Sequence, residues 1–161
     1  MRTDWLRVLG ALPIAATLLA GASVGQAQTV VRRDSVGAKP GPAKTFTGRV
    51  TVRMLTRPTL PGQAGTALVA FSPGARSNWH THPAGQTLYV TQGCGWTQEV
   101  GGRVARICQG DIVYVKPGVR HWHGATATSG MSHLAISETL AGKNVTWLEP
   151  VTDAQFKGPQ R

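Results

Sequence analysis

The stretch Asn78–Gly93, NWHTHPAGQTLYVTQG, holds two of the chain's five histidines one residue apart, with a glutamine four positions on. Side chains on a β-strand alternate between faces, so His80 and His82 share one side while Trp79 and Thr81 take the other. By the same rule Gln86, Leu88 and Val90 share a face of QTLYVT. The remaining histidines are His121, His123 and His133, and His121-Trp122-His123 repeats the pattern with its tryptophan turned away. If these faces line the inside of one barrel, three or four imidazoles and a carboxamide converge. Unpaired imidazoles crowded into an apolar interior are costly, and a divalent cation satisfies them. A lone His-x-His is often only a surface pair, and His133 alone reads equally as a core histidine. The concentration of all five histidines in two clusters turns the reading toward a metal.

Outward from this stretch the chain keeps to short runs of β-branched or alternating character. They are GRVTVRML, GTALVAF, QTLYVTQ, GWTQEV, VARICQ, DIVYV, HWHGATA, SHLAISE and NVTWLEP, divided by Pro-Gly or Gly-Gly at 61–62, 73–74, 101–102 and 117–118. Regular short strands with such turns predict an all-β, antiparallel sandwich or barrel. The only helical candidate is VTDAQF near the C-terminus.

The ends read differently. Arg2 and Arg7 flank a basic start, Val8–Ala20 is apolar, and Gly25-Gln26-Ala27 suits cleavage before Gln28, so residues 1–27 read as a secretory signal peptide. The apolar stretch falls short of the roughly 20 residues that span a bilayer. Residues 28–44 are polar and rich in Gly and Pro, as in a flexible arm, and lead into one domain over 45–157. The mature chain is then expected in the periplasm or outside the cell, with no membrane contact after cleavage.

The whole chain carries 17 basic and seven acidic residues, and without Arg2, Arg7 and Asp4 its net charge is +9. These charges are scattered singly apart from Arg32-Arg33, with no aromatic-rich basic motif, so no nucleic-acid partner is expected. Cys94 and Cys108 lie opposite one another if a hairpin turns at Gly101-Gly102. That register and an oxidising compartment permit a cross-hairpin disulfide, while a slip of one residue favours the alternative of two small buried thiols.

Two longer patterns resemble the cupin family. Gly74, five residues, His80-x-His82, three residues, Gln86, six residues and Gly93 look like its first motif, with Gln86 where glutamate is usual. Gly110, seven residues, Gly118, two residues and His121 look like its second. Pro117 sits one place late, and Ala125 stands where asparagine is common. Over residues 44–157 the chain further resembles small bacterial single-domain metallocupins, including the manganese-dependent cupin hydroxynitrile lyases. The resemblance implies a jelly-roll barrel, a metal held by His80, His82, Gln86 and His121, and a dimer or tetramer of barrels. It also implies Mn(II), while a site of nitrogen and oxygen donors accepts Fe(II), Co(II), Ni(II) or Zn(II) as well.

Three imidazoles and an amide are all neutral, so the ion would keep its full charge and polarise a bound oxygen strongly. The same neutrality disfavours a higher oxidation state. Of the two histidines left over, His133 is the favoured proton acceptor and His123 the second candidate, with support of the ligands as the alternative role for both. Ala67, Val69, Phe71, Leu88 and Ser137 are expected to wall a substrate pocket, with Val90 and Trp96 completing it. Arg76, Lys116 and Arg120 fall in turns or point outward, so a small neutral or aromatic substrate fits better than a phosphate. The expected activity is a metal-dependent lyase acting on cyanohydrin-like α-hydroxy compounds. A metallocupin dioxygenase and a non-catalytic metal or small-molecule binder are the alternatives.

Overall fold

Nearly every alternating run of the sequence becomes a strand in the computed structural model, which describes residues 30–57 and 63–158. The signal-peptide reading of residues 1–27 lies outside them. In chain order the strands are β1 (Lys39–Pro40), β2 (Phe46–Thr47), β3 (Val50–Thr56), β4 (Ala64–Phe71), β5 (Arg76–Ser77), β6 (His80–Thr81), β7 (Gln86–Glu99), β8 (Ala105–Cys108), β9 (Ile112–Val115), β10 (His121–Ala125), β11 (Met131–Glu138) and β12 (Thr146–Trp147). One 3₁₀ turn, Arg33–Ser35, is the only helical element among the described residues, and none of their helices is long and apolar enough to cross a membrane. All pairings are antiparallel, in the order β1-β3-β4-β11-β7-β10-β5-β2, with β8 and β9 also on β7 and β6 joining β10 to β12. This is the curled, jelly-roll arrangement that the motifs imply.

β7 bends the sheet. QTLYVTQ and GWTQEV read as separate runs, yet they form one strand of 14 residues. Its first part pairs with β9 and β11, and its second with β8 and β10. Gly93 sits at the change of partners with a φ of 70°, where a Cβ would collide with the carbonyl oxygen of Gly130. Only glycine accepts both that backbone and that approach.

Inside the barrel Val50, Val69, Phe71, Val90 and Met131 form the apolar core. Each such side chain contributes roughly 1.5–3 kcal/mol on full burial. Trp79 and Trp122, turned away from the histidines by strand alternation, form a second cluster with Val151. The C-terminal segment covers them. Leu148 N–H donates to Trp79 O at 2.8 Å, and Arg76 Nε and Nη2 donate to Val151 O at 3.1 and 2.9 Å. Arg76 also pairs with Asp153 at 2.6 Å and lies 4.6 Å over the Phe156 ring. Arg76 is therefore buried, contrary to the outward placement read from parity, but it faces the C-terminal segment and not the barrel interior.

VTDAQF is not a helix. Gln155 and Phe156 N–H groups donate to Thr152 O at 3.1 and 3.0 Å, closing a turn, and Gln155 Oε1 accepts from Thr152 N–H at 2.9 Å. Docking of Val151, Asp153 and Phe156 around Arg76 outweighs the weak helical preference of so short a run. The end of the 28–44 arm is laid along the sheet as β1, with Lys39 opposite Val52 and Pro40 opposite Thr51. Cys94 and Cys108 are opposite each other, their Cα atoms 4.1 Å apart and their sulfurs bonded. Of the two readings of the cysteines, the structure has the disulfide.

Candidate metal centre and its cavity

β6 and β10 run side by side with His80 opposite His121, and alternation brings His82 to the same interior. Gln86 opens β7 beside them. His80, His82, Gln86 and His121 are all buried. The imidazole centroids of His80 and His121 are 4.2 Å apart, those of His80 and His82 5.3 Å, and those of His82 and His121 5.9 Å. One nitrogen from each ring lies within 4.8 Å of the other two.

Backbone carbonyls set which nitrogens converge. Nδ1 of His80 lies 2.9 Å from Asn78 O, Nδ1 of His82 2.7 Å from Asn144 O, and Nδ1 of His121 3.0 Å from Val119 O. A carbonyl only accepts, so each Nδ1 carries the proton and each Nε2 is left as a bare lone pair. Burial, and after it the repulsion of His121 and His82, holds His80 well below the usual histidine value, against the opposing hydrogen bonds of the Asn78 carbonyl and Gln86. Burial is the largest cause at His82, which is lowered to about 4, and at His121, also lowered. The cluster is neutral at neutral pH, which is the state a metal needs.

These residues fit a divalent cation on grounds internal to the protein. Gln86 Oε1 lies 3.0 Å from His121 Nε2, yet with Nδ1 protonated neither atom has a hydrogen to share. His82 Nε2 is buried with no partner. Facing lone pairs are costly, and a shared cation relieves both faults. Both cysteines are locked in the disulfide, so the donor set is nitrogen and oxygen only.

The other two histidines stand together. His133 Nε2 is 3.1 Å from His123 Nδ1, and both rings pack against Phe71. One proton lies between them. Neither His123 Nε2 nor His133 Nδ1 has a hydrogen-bond partner. Burial and then the neighbouring imidazoles, His133 first, hold His123 well below its usual value. Burial lowers His133 to about 4 against the small opposing effect of the peptide groups at Leu134 and His133. His123 stands between His133 and the three-histidine cluster, its centroid 5.2 Å from that of His80 and 4.7 Å from that of His133.

A cavity of about 800 Å³ opens onto both groups. Of the expected walls, Ala67, Val69 and Ser137 line it. Phe71, Leu88 and Val90 face inward but are sealed in the core, Leu88 between Val113 and Ala135 on neighbouring strands. Trp96 packs instead on Phe156, since the change of sheet along β7 turns it toward the C-terminal segment. Sequence reasoning missed Phe46, Trp147, Asn144 and the arm residues Pro40 and Pro42. Their signal was weak: two-residue strands and a proline-rich arm show no periodicity. Asn144 both anchors His82 through its carbonyl and, through its side chain, bonds Ser137 Oγ at 3.1 Å.

The cupin domain family model matches residues 67–137. The (R)-mandelonitrile lyase of Granulicella tundricola is 51% identical over 128 residues, covering 80% of this chain and 98% of that protein. A crystal structure of a cupin-like protein from Thermotoga maritima superposes with a TM-score of 0.70 at 39% identity, over 73% of this chain and 90% of that one. DMSP lyase DddQ from Ruegeria pomeroyi, at 18% identity and a TM-score of 0.57 over 70% of this chain and 62% of that one, shares the fold alone. With its two histidine motifs meeting inside an antiparallel barrel, and a relative half identical over nearly that relative's whole length, the chain belongs to the cupin family.

Proposed function

We propose that the protein is a metal-dependent lyase that cleaves, or in reverse forms, the C–C bond of cyanohydrin-like α-hydroxy compounds, with (R)-mandelonitrile as the model substrate. The observation that carries this reading is the neutral donor cluster set beside two imidazoles that hydrogen-bond to each other. Its likeness to the Granulicella lyase supports it. His80, His82, Gln86 and His121 would hold the cation, Mn(II) by resemblance, whose chemistry when bound is Lewis-acid polarisation of a substrate oxygen. No described residue lining the cavity is acidic, so nothing there offsets that charge.

The His123–His133 pair takes up the proton of the substrate hydroxyl. Both rings line the cavity, and the proton is shared along the 3.1 Å contact between His133 Nε2 and His123 Nδ1. The O–H electron pair then forms the carbonyl of the aldehyde as the bond to the nitrile carbon breaks. Cyanide leaves with that bond's electrons and takes the hydroxyl's proton from the pair. Val69 and Ala67 on β4 line the same cavity. The disulfide supports the expected site of action outside the cytoplasm. The expected homo-oligomer is supported by the exposed Tyr89, Ile112 and Tyr114 on the outer face of β7 and β9.

The test is release of cyanide and benzaldehyde from racemic mandelonitrile by the protein loaded with Mn(II), beside a metal-stripped control. Metal-dependent release that consumes one enantiomer faster is expected. Equal rates with and without metal would remove the lyase reading and make oxygen uptake the next question.

A further inference from the structure

Three described tryptophans are packed away from the cavity, and Trp147 is not. Trp79 and Trp122 are 3% and 0% exposed, while Trp147 on β12 keeps 37% of its surface open although it forms part of the cavity wall. β12 pairs with β6 so that Trp147 lies opposite His80, and the indole rests on the His80 ring at 4.8 Å between centroids. Phe46 meets the indole edge-on at 5.5 Å and also lines the cavity. The cavity is also lined by Val52 and Met54, which lie opposite Val69 and Ala67 on β4, and by the cationic Lys39 and Arg57, which the sequence reading did not place there. An aromatic ring that lines a concave pocket and is not fully covered offers a surface for a ligand.

We propose that Trp147 and Phe46 form a subsite for a planar aromatic ring, so that the ligand's aryl group stacks on the indole while its oxygen reaches the donor cluster. This rests on the lyase reading for the identity of the polar end and adds the residues that hold and select the aryl group. The aryl group lies on the β12 wall and not among Ala67 and Val69 on β4. A tryptophan that only braced His80 would need no open face and would not discriminate between flat and puckered rings.

The test compares benzyl alcohol with cyclohexylmethanol by calorimetric titration into the Mn(II)-loaded protein, with bound metal measured for each variant. Wild type should bind the aromatic alcohol about three- to tenfold more tightly. Trp147→Leu keeps an apolar contact with His80 and should retain metal while the ratio falls to about one; Trp147→Phe should restore most of it. Phe46→Leu, further from the histidines, should lower the ratio in the same direction. A wild-type ratio near one, no binding of either alcohol, or a ratio unmoved by both the leucine changes overturns the subsite. Neither alcohol carries a nitrile, so the two readings fail separately. A protein with the ratio but no cyanide release keeps the subsite and loses the lyase. Cyanide release with a ratio indifferent to Trp147 does the reverse.

Discussion

Two groups of histidines share one barrel and are held in opposite ways. In the cluster of His80, His82 and His121 every Nδ1 is anchored by a peptide carbonyl, two residues back for His80 and His121 and at Asn144 for His82. In the His123–His133 pair each ring is anchored only by the other. Anchoring by carbonyls fixes tautomer and direction, which suits a ligand that must hold a cation in place. A proton shared between two imidazoles can move, which suits acid–base work. Burial depresses the basicity of both groups alike, so the difference in role comes from hydrogen bonding and not from solvent exposure.

The comparison breaks most completely at the anchored cluster. His121→Ala removes a central donor and is expected to abolish both metal binding, read by elemental analysis, and any cyanide release. His133→Ala is expected to keep the metal while turnover falls by about 10²–10⁴-fold, the usual range for losing general acid–base assistance. Equal loss of metal and turnover in that variant would show that the pair is part of the metal site. A smaller, shared effect concerns acid. His82 and His133 have folded values of about 4 against 6.5 in the unfolded chain. The unfolded state therefore binds more protons below pH 6.5, and the stability of the fold, complete above that pH, is lost as pH falls toward 4. The loss amounts to about 3 kcal/mol for each imidazole. Urea unfolding of metal-free protein at stepwise lower pH should show the midpoint falling through that window, and a flat midpoint would mean that the rings are not buried as neutral groups.

The parts of this account that follow strand parity were legible in the sequence. His80 and His82 point inward with Trp79 opposite, and Trp122 separates His121 from His123, because alternation is a property of the backbone alone. Cys94 faced Cys108 for the same reason, once the Gly101-Gly102 turn set the register. Parity could not say which inward residues meet the cavity and which are sealed beneath it. Phe71 and Leu88 needed the neighbouring strands for that, and Trp96 needed the change of sheet partners at Gly93. Trp147 and Asn144 were hidden for a further reason: their roles depend on a short strand and a loop brought to the histidines from far along the chain, with no periodic pattern to announce them.

The most direct measurement is long-range ¹H–¹⁵N correlation of the imidazole rings in metal-free protein at neutral pH, which reads the tautomer of each histidine. His80, His82 and His121 should all carry their proton on Nδ1, leaving three Nε2 lone pairs directed at one point. A proton on Nε2 of any of the three would contradict the account, because that nitrogen would face its neighbours as a donor and the cluster would be a hydrogen-bonded core with no need of a cation.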